Sequence, residues 1–268
     1  IILTICFLKH MSIKFIILGC GSSMGVPRSD GFFGNCDPKN KKNYRTRCSA
    51  LIKTSNENIL IDTSPDLRQQ LLLHKIKKIS KVYYSHMHAD QTHGINDLRS
   101  FFLNSNKQID IYADTKTAKN LKKSFSYCFK KFSRDYPATL KLNKLSKKLI
   151  ISHKNKKIEI KSIQVEHGKV KSNCFIIDKK LAYITDVSDI YKKDFLHFKN
   201  LKYFIIDCFG YNYHPSHFNL ERSLFFIKKF NPKYAILSNL SPVLDYNKLK
   251  KILPKNIIPA HDGLTVEL

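Results

Sequence analysis

Acidic residues are scarce in this chain of 268 residues. It has 21 Asp and Glu against 47 Lys and Arg, which gives a formal net charge of +26. A surplus of this size favours a polyanionic partner such as nucleic acid. The lysines are spread along the chain, however, and accompany abundant isoleucine and asparagine, so a compositional bias explains the charge equally well. The densest region, Lys116 to Lys157, holds 14 Lys or Arg and the single acid Asp135.

Paired cysteines, a leader and a long apolar run are also missing. The seven cysteines are odd in number and include no Cys-x-x-Cys pair, which argues for a reducing compartment and against a disulfide framework. A signal peptide and a run of about 20 apolar residues are absent too. We therefore expect a cytoplasmic protein without a membrane partner, and we interpret residues 1–11 as an extension from an over-called translation start. The sequence carries no signal for the oligomeric state.

No repeat, Ser/Pro-rich linker or shift in composition divides the chain, so we predict one domain over residues 12–268. Its hydrophobic content of 43% is ample for a packed core. Short apolar runs predict strands at 13–18, 50–53, 58–61, 82–84, 109–112, 158–164, 174–177, 181–184, 203–206 and 234–237. Helical spacing predicts helices at 66–75, 114–131 and from about 217 to 230.

The most informative stretch is His86-Met-His88-Ala-Asp90-Gln91-Thr-His93-Gly94, directly after an apolar run. A β-branched and aromatic run ending in polar residues predicts a buried strand followed by a loop. Imidazole and carboxylate are the ligands of zinc and neighbouring transition metals. These side chains converge only if the backbone turns, and we expect the freedom of Gly94 to allow that turn. The stretch therefore predicts a metal site.

Further motifs follow the first in a fixed order. They are Asn58-Ile-Leu-Ile-Asp62, Val165-Glu-His167-Gly168, Leu181-Ala-Tyr-Ile-Thr-Asp186, His214-Pro-Ser-His217 and Pro259-Ala-His261-Asp-Gly263. Together with the histidine stretch, this ordered set resembles the metallo-β-lactamase superfamily, most of all its branch of phosphonate-pathway cyclic phosphodiesterases. The resemblance implies an α/β fold, a four-layer αββα sandwich of two mixed sheets flanked by helices.

The resemblance also implies roles for single residues. Metal ligands would be His86, His88, Asp90, His167 and Asp186, with Zn²⁺ as the expected ion and Mn²⁺ as an alternative. Asp62 would lie behind the ligands and fix their loop through backbone amides and imidazole N–H groups. Catalytic roles would fall to Asp90, which orients the nucleophile, and to His217, which contacts the phosphate or protonates the leaving oxygen. His214 is close enough in sequence to be confused with His217.

Two positions depart from the pattern of relatives that hold two metals. Those relatives have histidine where this chain has Gln91 and Asn239. Amide oxygens ligate hard cations but bind zinc more weakly than imidazole does. We therefore expect one tight site and a weak second one, with Gln91, Asn239 and His261 as its candidate ligands. His261 could equally line a pocket, and His93 carries the same ambiguity.

The resulting hypothesis is a metal-dependent hydrolase, a phosphodiesterase that attacks a small, cyclic phosphate ester with hydroxide generated from metal-bound water. The positive charge favours such a phosphorylated substrate and leaves nucleic acid open as a partner. Three alternatives remain: a ribonuclease of the tRNA 3′-processing type, a thioester or lactone hydrolase, and a binding protein that has lost catalysis. The fold by itself does not choose among them.

Overall fold

Two seven-stranded β-sheets form the centre of the structure, a computed structural model that describes residues 12–268. The interpretation of residues 1–11 as an extension lies outside those residues. The first sheet contains β1 (Lys14–Gly19), β2 (Ser49–Lys53), β3 (Asn58–Ile61), β4 (Lys81–Tyr83), β5 (Ile109–Ala113), β6 (Leu140–Lys144) and β14 (Thr265–Glu267). The second contains β7 (Lys148–His153), β8 (Lys156–His167), β9 (Val170–Ile177), β10 (Leu181–Ile184), β11 (Tyr203–Asp207), β12 (Tyr234–Ser238) and β13 (Ile257–Pro259).

Within residues 12–268, seven α-helices and three short 3-10 helices connect the strands. The α-helices are α1 (Leu67–Leu73), α2 (Ala89–Thr92), α3 (Arg99–Ser105), α4 (Thr115–Ser124), α5 (Ser126–Phe129), α6 (Leu220–Phe230) and α7 (Tyr246–Ile252). The 3-10 helices are Lys41–Asn43, Ile95–Leu98 and Lys192–Phe198. No helix within residues 12–268 is both long enough and apolar enough to cross a membrane.

Both sheets are mixed, and their strand orders mirror each other. The first runs β14-β1-β2-β3-β4-β5-β6 and is parallel from β3 to β6. The second runs β13-β12-β11-β10-β9-β8-β7 and is parallel from β10 to β13. Within each parallel group, the carboxyl ends of neighbouring strands meet at one edge of the sheet. These two edges position the site described below.

Three apolar layers hold the sandwich together. The middle cluster joins the sheets, since Phe15 and Ile61 of the first pack with Phe175 and Tyr183 of the second. A second cluster lies between the first sheet and helices α1, α3 and α4. A third lies between the second sheet and α6 with α7. This arrangement confirms the predicted four-layer αββα sandwich.

Strand β11 shows why its sequence is apolar throughout. Phe204 and Ile206 face the helices, whereas Ile205 faces the other sheet. Alternate residues of a strand point to opposite faces, and both faces of this one are covered. A strand buried on both sides therefore needs a continuous apolar run, which made the central strands predictable.

The structure corrects several predicted element boundaries. The helix predicted from about residue 217 begins at Leu220, because the Asn219 side chain accepts the Arg222 amide and caps it there. The helix predicted at 114–131 is broken at Phe125, whose backbone leaves the helical region (ψ 38°). Four strands, β6, β7, β13 and β14, had no counterpart in the prediction.

Candidate metal centre

The loop that carries His86 and His88, called the His86 loop below, begins at the end of β4. The parallel strand β3 ends beside it in the first sheet. Asp62 follows β3 with a left-handed backbone (φ 61°), and its Oδ1 accepts the Ser85 amide at 2.7 Å. Asp62 is buried, and burial raises the pKa of its carboxyl well above the usual range. The expected contact with a backbone amide is present. The expected contact with an imidazole N–H is absent among the described residues, because His86 Nδ1 faces Ser85 Oγ at 3.0 Å instead.

Position 94 needs glycine, but for a different reason from the one predicted. Its φ of −84° is open to any residue, so no special backbone freedom is used. A Cβ atom at this position, however, would lie 2.0 Å from the carbonyl oxygen of Ser64. Glycine is required by the close approach of two backbone segments.

Three imidazoles meet at this edge although they come from different sheets. His86 and His88 lie just before α2, and His167 lies at the end of β8 in the second sheet. His86 Nε2 is 2.9 Å from His88 Nδ1, which is 3.3 Å from His167 Nε2. Nitrogens that share a tetrahedral zinc ion at 2.0–2.1 Å lie roughly 3.3 Å apart. The spacing therefore suits one shared ion, and the role of these residues as ligands stays a prediction.

The protonation of the rings favours ligation. His167 Nδ1 lies 2.7 Å from the Ser216 carbonyl oxygen, which can only accept, so Nδ1 carries the proton and the Nε2 lone pair is free. Burial lowers the pKa of His86 well below its usual range and, with the neighbouring His217, lowers the pKa of His167 to about 4. Both rings are therefore neutral at pH 7, as metal ligation requires.

Asp186 lies on the same side as the imidazoles. It follows β10 in a buried position, and its Oδ1 is 3.8 Å from His167 Nε2. Burial, together with the nearby Asp90, raises the pKa of its carboxyl to about 7, despite the opposing effect of His217. His167, Asp186 and His217 offer ligand atoms that all lie within 4.8 Å of one another, as do His86, His88 and His167.

His217 belongs to the centre through a partner that the sequence argument overlooked. Its Nδ1 lies 2.8 Å from Oδ2 of the fully buried Asp207, the last residue of β11. Burial opposes protonation of His217, but the charge and hydrogen bond of Asp207 outweigh it and raise the pKa of His217 to about 9. The sequence signal for Asp207 was a carboxylate at the end of an apolar strand. Asp62 and Asp186 follow the same pattern.

Gln91 and Asn239 also face the centre, and both are buried. Gln91 Nε2 lies 3.1 Å from Asp90 Oδ2 and 3.4 Å from Asp186 Oδ2. Asn239 follows β12, directly beside the end of β11, and its Nδ2 donates to Thr185 O at 3.0 Å and to Asp207 Oδ1 at 3.2 Å. The structure thus brings into the site both residues, Gln91 and Asn239, that differ from the pattern of two-metal relatives.

His261 and His93 are not joined to the centre. His261 Nδ1 contacts the Asp262 carbonyl oxygen at 3.0 Å, and its side chain lines a separate cavity of about 980 Å³ beside Arg45 and Arg47. His93 packs its ring against Phe125. Neither histidine belongs to a ligand group within residues 12–268. Of the two interpretations of His261, the geometry agrees with the pocket-lining one.

A cavity of about 460 Å³ opens next to His217. Its walls include His214, Tyr213, Arg222 and Phe225. The His214 ring centroid is 5.1 Å from that of His217, but His214 Nδ1 faces the Ser216 amide instead of the imidazole cluster. His217, and not His214, therefore connects the cavity to the candidate metal centre.

Comparison with known proteins places the chain in a family. A family model described as a β-lactamase superfamily domain matches residues 57–238, which include the three imidazoles, Asp186, Asp207 and His217. The chain therefore belongs to the β-lactamase superfamily. Its two mixed sheets flanked by helices form the metallo-β-lactamase fold, whose members are typically metal-dependent.

Two solved structures show the similarity over nearly the whole chain. The crystal structure of a diphosphatase from the PhnP family is 28% identical, with a TM-score of 0.85, and covers 96% of this chain and 98% of its own. Zn²⁺-bound PqqB from Methylobacterium extorquens is 15% identical, with a TM-score of 0.76, over 95% of this chain and 100% of its own. These findings confirm the predicted superfamily and its PhnP-like branch.

A curated relative is described as an octanoyltransferase of Porphyromonas gingivalis (strain ATCC BAA-308 / W83). It is 29% identical over 256 residues, which make up 94% of this chain but 51% of that protein. The chain thus spans about half the length of this relative, and the activity in its name belongs to the longer protein.

Proposed function

We propose that the protein is a phosphodiesterase that hydrolyses a small, cyclic phosphate ester at the His86–His88–His167 centre. The observation that carries this proposal is the His217–Asp207 pair beside the imidazole cluster. A histidine whose pKa is about 9 is protonated at neutral pH. It therefore presents positive charge and a proton where a phosphate oxygen would bind.

The cluster of three imidazoles fits a divalent ion. His86, His88 and His167 would hold Zn²⁺ or Mn²⁺ with Asp186, and the similarity to a Zn²⁺-bound structure supports zinc. When bound, such an ion polarises a phosphoryl oxygen and acidifies water. Asp90 and Asp186, which share the Gln91 amide as a neighbour, would orient the attacking water.

His217 would act on the opposite side of the phosphate. Because its Nδ1–H is directed to Asp207, the ring presents Nε2–H to the substrate. Asp207 fixes the ring plane and stabilises the charged form, and the Phe209 ring stacks on His217 with centroids 5.0 Å apart. In this arrangement His217 donates its proton to the leaving oxygen as the ester bond breaks. The adjoining cavity would take the leaving group.

The test is a substrate panel on the purified, metal-loaded chain. We expect turnover of cyclic phosphates and of bis(p-nitrophenyl) phosphate, lost after chelation and restored by Zn²⁺ or Mn²⁺. Thioesters and lactones belong in the same panel, because the curated relative is named for acyl transfer. Turnover of those esters with no phosphodiester hydrolysed would refute the proposal.

A ribonuclease is the second candidate, and a cleft of about 1010 Å³ favours it. We call it the lysine cleft because five lysines line it: Lys144, Lys147, Lys161, Lys171 and Lys193. The carboxylates in it are Asp114, which caps α4 and accepts from Asn173, and Asp194. Asn173 also donates to the carbonyl oxygen of Ser85, the neighbour of His86, so one wall residue of the cleft contacts the segment that carries the imidazoles. A phosphate backbone bound along the cleft would lead into the candidate active site.

A further inference from the structure

Two buried amides stand in the centre at the positions where two-metal relatives have histidine. Gln91 is 1% exposed and Asn239 is 2% exposed. The orientation of each amide can be deduced from its neighbours. The Gln91 amide places its NH₂ 3.1 Å from Asp90 Oδ2 and 3.4 Å from Asp186 Oδ2, where it can donate to both carboxyl groups. Asn239 likewise points its NH₂ at the Thr185 carbonyl and at the Asp207 carboxylate.

This orientation does not fit a second divalent ion. A cation is bound by lone pairs, but Gln91 turns hydrogens toward Asp90 and Asp186, the carboxylates that would share it. Asn239 turns its hydrogens toward Thr185 and Asp207 and offers no lone pair there. The oxygen of Gln91 is directed elsewhere and is buried without a hydrogen-bond partner among the described residues. The ligands for one metal ion are therefore present. At the positions where a second ion would need ligands, the chain has hydrogen-bond donors.

We propose that the Gln91 amide takes the place of a second cation, bridging Asp90 and Asp186 so that the centre works with a single divalent ion. Asp186 is buried and Asp90 is half-buried, and two neighbouring carboxylates in such surroundings need hydrogen bonds to offset their repulsion and desolvation when no cation bridges them. Gln91 supplies them, which makes it a positioning residue for Asp90. Asn239 likewise donates to Asp207 and holds that carboxyl group in place.

The experiment measures metal content and thermal unfolding of the full chain, so it does not depend on the substrate. After extensive dialysis, the wild-type protein should retain one Zn²⁺ per chain, and titration with Mn²⁺ should add no second tight site. Gln91→Glu keeps the shape but replaces the donor with a third carboxylate. We expect its metal-free melting temperature to fall and its capacity to rise to two ions per chain.

Gln91→His tests the same point without added charge, since its imidazole offers a lone pair, and it too should bind two ions. Gln69→Glu on the exposed face of α1 is the matched control for charge and should retain one ion and the wild-type melting temperature. Two tightly held ions in the wild-type protein would overturn the proposal. So would one ion per chain in both Gln91 variants, because the amide would then not be what excludes the second ion.

Discussion

At the scale of single residues, His217 carries the proposed chemistry, and its contribution depends on the leaving group. If it protonates the leaving oxygen, His217→Ala should lower turnover of alkyl or ribose esters by roughly 10²–10⁴-fold, the usual contribution of general acid–base catalysis. A nitrophenolate leaves without a proton, so the loss on nitrophenyl esters should be much smaller. Metal content should not change. Equal losses on both ester types would contradict the acid role and leave only phosphate positioning.

His86→Ala is the comparison for that variant, because it removes a proposed ligand instead of the proposed acid. It should lose metal and activity together. If it retained full metal content, the imidazole cluster would not be the metal site.

The His217–Asp207 pair should also make stability depend on pH. The folded-state pKa of His217 is about 9, above the ordinary value of about 6.5. The folded state thus holds this proton more tightly than the unfolded state does. The resulting stabilisation is complete below about pH 6.5 and is lost as the pH rises through 9.

Urea unfolding of the metal-free protein from pH 6 to pH 10 measures this effect. The difference in unfolding free energy between the wild-type protein and His217→Ala should shrink across that window. A difference that stays constant would mean that Asp207 does not raise the pKa of His217.

At the scale of elements, the strand ends align the site. Strands β10, β11 and β12 are parallel neighbours, so the residues at their carboxyl ends lie in a row. These residues are Asp186, Asp207 and Asn239. Asp62 and the His86 loop do the same in the first sheet. His167 joins the two groups from the β8–β9 hairpin. The imidazole cluster therefore requires the two sheets to pack in one relative position.

The packing of Gly94 against Ser64 is one contact that maintains this arrangement. Gly94→Ala would bring a Cβ against a backbone carbonyl, which cannot move as a flexible side chain can. We expect a loss of about 1–3 kcal/mol in unfolding free energy, as for overpacked sites, together with weaker metal binding. Gly210→Ala is the control, since its Cβ would meet only side-chain atoms, a Val243 methyl at 3.3 Å and Ser241 Oγ at 3.9 Å. Urea unfolding and metal titration of both variants would check this, and equal stability of the two would contradict it.

At the scale of the whole molecule, the question is whether the +26 charge serves a partner. The lysine cleft combines Lys144 and Lys147, from the densest basic region, with lysines from β8, β9 and the Lys192–Phe198 helix. If RNA binds there, replacing both Lys171 and Lys193 with alanine should weaken binding of an RNA oligomer. The slope of log K against the logarithm of the salt concentration should also become shallower by about 2, which is about 1 for each lost phosphate contact.

Lys250 and Lys251, exposed at the end of α7, supply the control double variant with the same loss of charge. Hydrolysis of bis(p-nitrophenyl) phosphate should be unaffected in both variants. If the two double variants lose RNA affinity equally, the charge acts through composition alone and the cleft has no special role.

The sequence by itself determined the central strands, the fold family and the identity of the candidate metal-binding residues. Strands buried on both faces must be apolar, and metal chemistry needs imidazole and carboxylate, so both leave a local pattern. The four strands that the sequence did not reveal are β6, β7, β13 and β14, the edge strands of the two sheets. An edge strand has a partner on one side only and keeps polar residues, as in Leu140-Lys-Leu-Asn-Lys144, so its pairing depends on the neighbouring strand.

Only the tertiary structure decided what each residue contacts. It joined His217 to Asp207, turned the Gln91 amide toward two carboxylates, separated His261 from the centre and brought scattered lysines into one cleft. These outcomes depend on the packing of distant segments, and no local spacing in the sequence encodes a distance between them. The physical reason is that a residue's type fixes what it can bind, whereas its charge state and partners are set by the surroundings that the fold provides.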